Sequence, residues 1–128
     1  MIAARLLLML NSLVFGVFGL LFLIWPAGMA ATVGLAAANP TGIIDIRATY
    51  GGLELGISAL LGYCAISIGG TAFGLLAATC AFTGFAGGRL IGIIANGGAV
   101  GLIWGILACD VLLVALNAWM LRQMQGRD

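Results

Sequence analysis

Leu6–Trp25 reads LLLMLNSLVFGVFGLLFLIW, twenty residues without a charge. A helix needs about 20 apolar residues to cross some 30 Å of hydrocarbon, so this stretch has the length of one membrane span. It is too long for the ~7–15-residue apolar core of a cleaved leader. Trp25, at its end, suits an interfacial anchor, so the segment is read as a retained span. The rest of the chain has the same character. Of 128 residues, 63 % are hydrophobic and 7 % charged, and the mean hydropathy is +1.23. A soluble domain carries about 25 % charged residues. The composition therefore excludes a soluble enzyme, a secreted module and a nucleic-acid binder, and it predicts an integral membrane protein.

Further spans are expected over 43–68, 71–94 and 99–121. They are separated by Asn39-Pro40-Thr41-Gly42, Gly69-Gly70 and Asn96-Gly97-Gly98, the turn chemistry that ends helices. The expected architecture is all-α: one domain over 1–128, an integral bundle of four transmembrane helices (6–25, 43–68, 71–94, 99–121) with short loops. Arg5, Arg122 and Arg127 lie at the chain ends and the first loop has no Lys or Arg. The positive-inside tendency then places both termini in the cytoplasm.

Absences narrow the chemistry. The chain has no histidine, which removes a His-based nucleophile and the commonest ligand of haem and zinc. Cys64, Cys80 and Cys109 form no CxxC and sit in apolar segments. No metal site and no cofactor is expected, nor a nucleic-acid partner.

Twenty-one glycines supply the packing signal. Gly52/Gly56, Gly84/Gly88/Gly92 and Gly97/Gly101/Gly105 fall in small-xxx-small register, the pattern that lets helices approach closely in lipid. They are read as packing the later helices against one another, with contact to a second chain as the alternative. The first helix, rich in Leu and Phe, is expected to be peripheral or to meet another chain.

Four ionisable residues fall inside the expected spans: Arg47, Glu54, Arg89 and Asp110. Each is costly in hydrocarbon, so each should face inward and pair. Arg47 and Glu54 are seven residues apart, which puts them on one face of a regular helix with Tyr50 between them. The pairing is open: Glu54 with Arg89 and Asp110 with Arg47 is one arrangement among several. One reading is structural, an ion cluster that fixes helix register. The other is a polar cavity that binds an anion, a lipid headgroup or a quinone through Arg47, Arg89 and Tyr50. Glu54 or Asp110 would then be able to carry a proton.

The stretch Asp45-Ile-Arg47-Ala-Thr-Tyr50-Gly51-Gly52-Leu-Glu54-Leu-Gly56 is distinctive, as are Gly88-Arg89-Leu90 and Asn96-Gly97-Gly98. Together they resemble a bacterial family of small four-helix membrane proteins of unknown function, related to the DoxX-like group. The resemblance covers nearly the whole chain and implies a four-helix bundle in the bacterial inner membrane. Some DoxX-like relatives are membrane subunits of sulfur or thiol redox systems. This chain departs from that pattern in lacking CxxC and histidine, and in carrying Asn96 where the pattern has an acidic residue.

The functional expectation is an accessory or structural subunit of a larger membrane complex, partnered by the bilayer and by other subunits or itself. The alternative is a small-molecule binding or transport protein acting as a homo-oligomer, its ligand an anion, a lipid headgroup or a quinone. A membrane-embedded acid–base enzyme ranks third, and no catalytic residue is assigned.

Overall fold

The computed structural model describes residues 2–126. Helix α1 spans Ile2–Ile24. Pro26 cannot extend it and instead occupies the first turn of α2, Pro26–Thr32. The Trp25 indole folds back over Gly28, where a Cβ would meet the ring in its present position. After a loop, Asn39 caps α3 (Pro40–Ile46) by accepting from Gly42 N at 3.1 Å. Helix α3 runs without a break into a π-helical segment, Arg47–Gly52, and on into α4, Leu53–Ile66. Ser67–Gly70 reverses the chain, with Gly69 at φ 80°. Helix α5 spans Thr71–Ala95 and α6 spans Gly101–Gln125. Gly97 (φ 71°) and Gly98 (φ 143°) make the turn between them.

This architecture corrects the expected count of four helices. Among the described residues there are six α-helices and one π segment, which form five rods because α3, the π segment and α4 are continuous. Three helices, α1, α5 and α6, are long and apolar enough to cross a membrane, as befits a multi-pass membrane protein. The expected second span over 43–68 is not one regular helix. Its α-helical pieces have 7 and 14 residues, each short of the ~20 that a crossing takes. Hydropathy detects apolar length and is blind to a change of helical pitch.

The peripheral placement expected for α1 is also corrected. It is the hub of the molecule, packed against the π segment, α4, α5 and α2 and touching α6. Ala4, Leu8 and Phe15 join Leu61, Cys64, Ala65, Leu75, Ala78 and Phe82 in one core cluster. Helix α4 runs antiparallel along α1. Ser12 Oγ donates to Ser58 O at 2.8 Å and Ser58 Oγ to Ser12 O at 2.7 Å. Deeper in the core, Asn11 Nδ2 donates to Asn117 Oδ1 of α6 at 2.6 Å, and both residues are fully buried.

Close approach is carried by glycines other than those expected. A Cβ on Gly19 would lie 2.9 Å from Leu55 N, one on Gly51 3.0 Å from Leu23 N, and one on Gly74 2.6 Å from Cys64 Cβ. By contrast, a Cβ on Gly52, Gly56, Gly84, Gly88, Gly92, Gly97, Gly101 or Gly105 would meet nothing within 4 Å. Those eight face out of the monomer, so their register does not pack its helices together. Gly19→Val should therefore destabilise the protein by about 1–3 kcal/mol, the range for overpacking a filled contact, whereas Gly88→Ala should leave the melting temperature in detergent close to that of the parent.

Candidate ligand cavity

Residues far apart in sequence become neighbours around one partly open hollow between the helices. Its volume is about 340 Å³, within the ~300–1,000 Å³ usual for small-molecule sites. Helix α1 supplies Phe15, Phe18 and Phe22, and α5 supplies Phe82 and Phe85. These rings pack on one another, Phe15 against Phe82 at 5.0 Å and Phe22 stacked on Tyr50 at 5.1 Å between centroids. Val33 and Leu35, from the loop after α2, close part of the rim.

Polar groups enter the hollow from several elements. Tyr50 comes from the π segment, Glu54 from the first turn of α4, Arg89 from α5 and Asp110 from α6. Arg89 Nη1 donates to Asp110 Oδ2 and forms an ion pair with it across the α5–α6 hairpin. The guanidinium carbon of Arg89 also stands 5.3 Å from the centroid of Phe85, within range of a cation–π contact. Asp110 is 6 % exposed, so its charge depends on this partner. Glu54 is arranged differently. Its Oε2 is buried and has no hydrogen-bond partner among the described residues.

Four of the five expected cluster residues thus line one cavity: Tyr50, Glu54, Arg89 and Asp110. Arg47 does not. It is exposed at the start of the π segment, outside the cavity lining. The seven-residue spacing from Arg47 to Glu54 marks a shared face only in a regular α-helix, and the π segment fills that interval. One extra residue in a turn rotates the remainder of the helix by about 100°, which parts the two side chains. Asp110 accordingly pairs with Arg89 and not with Arg47. Asn96 lies apart from the cavity and turns its Nδ2 back to Gly92 O at 2.8 Å, closing the end of α5. Cys64 is buried while Cys80 and Cys109 are exposed, and all three are free. Among the described residues no three His, Cys, Asp or Glu side chains are grouped to hold a metal.

Sequence reasoning misses the aromatic wall, because it treats Phe15, Phe18 and Phe22 only as bulk on a peripheral helix. Their 3-and-4 spacing, one face of an α-helix, is the signal that could have found it.

Fold and cavity together define a small multi-pass helical membrane protein with an aromatic hollow and a few convergent polar groups. Residues 3–121 match the family described as Domain of unknown function (DUF4345), and the chain belongs to that family. No curated protein and no solved structure matches it.

The Arg89–Asp110 pair should show the asymmetry of a buried ion pair. Arg89→Leu or Asp110→Leu alone strands one charge, a loss of about 3–5 kcal/mol for a fully buried pair and less for one with a partly exposed arginine. The double variant should regain most of that loss, as read from a double-mutant cycle of thermal melts.

Proposed function

We propose that this protein binds a small, largely apolar molecule within the membrane, holding its polar end at Tyr50, Glu54, Arg89 and Asp110. The observation that carries this reading is the cavity itself. A partly open hollow of about 340 Å³ is lined by aromatic side chains on which a few polar groups converge, the make-up usual for a small-molecule site. Transport by a homo-oligomer is one use of such a site, and a lipid or quinone is compatible with its size and lining.

A second reading is favoured by a separate observation. Eight glycines face outward from the monomer, which suits an accessory subunit whose helices meet other chains. Both readings include the narrower expectations from the sequence: kinship to the DoxX-like group, residence in the bacterial inner membrane, and cytoplasmic termini, the last supported by Arg5 and Arg122 near the ends of α1 and α6.

Intact-complex mass spectrometry of protein released from native membranes in mild detergent tests the first reading. The expected result is a monomer or small homo-oligomer carrying a small-molecule mass, which is lost when Val14→Phe fills the hollow. A bare chain, or an adduct indifferent to Val14→Phe, would overturn it. Co-purification with a larger assembly would favour the second.

A further inference from the structure

We infer that the cavity selects a lipophilic ammonium: an organic cation whose N–H donates to Glu54 and whose apolar body lies against the phenylalanine rings. The inference rests on the binding function proposed above and names the class of ligand.

The charges around the cavity set the sign. Arg89, Asp110 and Glu54 line it together, one cation with two carboxylates. The arginine gives one N–H to Asp110, has the centroid of the Phe85 ring 5.3 Å from its guanidinium carbon, and its charge also reaches Glu54. An anion arriving here would meet a lining with two carboxylates to one guanidinium, whose charge Asp110 already shares. Glu54 has its Oε2 buried and without a hydrogen-bond partner among the described residues. Burying an ionised oxygen without a donor is costly, and leaving a polar atom unpaired is costly even when the group is neutral. Among the described residues no donor reaches this oxygen. A ligand that brings a positive charge and an N–H satisfies both demands at once, with the added strength of a charge-assisted hydrogen bond.

The walls favour the same ligand. Phe15, Phe18, Phe22, Tyr50, Phe82 and Phe85 line the hollow, and aromatic faces attract cations as well as hydrocarbon. The stacked Phe22–Tyr50 pair brings an aromatic face within one helical turn of Glu54. Arg47, exposed and outside the lining, does not reverse the balance inside the cavity.

Three probes with one skeleton test the assignment: 4-phenylbutylamine, 4-phenylbutanol and 4-phenylbutanoate. At neutral pH the amine is an alkylammonium, as a lysine side chain is. Saturable binding to the full chain in lipid nanodiscs is measured with each. The amine should bind about tenfold tighter than the alcohol, with the carboxylate weakest. In Glu54→Gln, checked for folding by its melting temperature, the amine-to-alcohol ratio should fall toward one, while Glu54→Asp should retain a preference for the amine. An alcohol as tight as the amine, or a carboxylate tighter than either, would overturn the cationic assignment while leaving a binding cavity in place. Saturable binding of none of the three would remove the binding function as well. The comparison among probes on the parent protein decides the matter even if Glu54→Gln fails to fold.

Discussion

The close contact between α1 and the rod beside it is the constraint on which the rest of the structure depends. In lipid, helices gain little by hiding apolar side chains from one another, because the acyl chains are equally apolar. What remains is close packing and the pairing of polar groups that have no water to turn to. The sequence provides both along one seam. Gly19 and Gly51 let α1 approach the backbone of the π segment and of α4, and the reciprocal Ser12–Ser58 hydrogen bonds fasten the same seam nearer its other end. Fixing this pair places Leu8 against Gly74 and Phe15 against Phe82, which carries α5 into position. Asn11 and Asn117 then tie α1 to α6.

The π segment links that packing to the cavity. π-Helical turns widen a helix and are frequent at functional sites. Here Gly51, inside the turn, is pressed against Leu23 while Tyr50, beside it, stacks on Phe22 at the cavity wall. Glu54 comes in the next turn and enters the hollow, whereas Arg47 at the start of the segment remains outside. A regular helix over the same residues would keep Arg47 and Glu54 on one face; the irregular turn parts the exposed arginine from the carboxylate that lines the cavity.

Legibility in the sequence depends on which signals are local. The membrane class is plain in Leu6–Trp25 and in the scarcity of charge, because hydropathy integrates over whole helices. Tyr50, Glu54, Arg89 and Asp110 stand out because ionisable and phenolic groups are rare in such a chain, and rarity needs no knowledge of contacts. The π turn is hidden, since 47–52 differs from a helix in one turn's hydrogen bonding and not in composition. The roles of the glycines are hidden for another reason. Small-xxx-small spacing describes a helix face without saying what lies opposite it. Gly84, Gly88 and Gly92 have that spacing and open space before them, whereas Gly19 and Gly51 pack tightly with no such motif to announce them.

The two carboxylates of the cavity show why counting charges is not enough to assign a role. Both belong to a formally balanced set of Arg47, Arg89, Glu54 and Asp110, which invites the view that all four are structural. The geometry divides them. Asp110 has its arginine and would be left stranded without it, so the pair accounts for itself as a tie between α5 and α6. Glu54 makes no such tie: among the described residues its buried Oε2 has no hydrogen-bond partner, and glutamine or leucine at that position would spare the fold the cost of an ionisable group. Packing alone gives no reason for a carboxyl at the wall of a hollow lined with phenylalanine. The ammonium ligand inferred above would supply one.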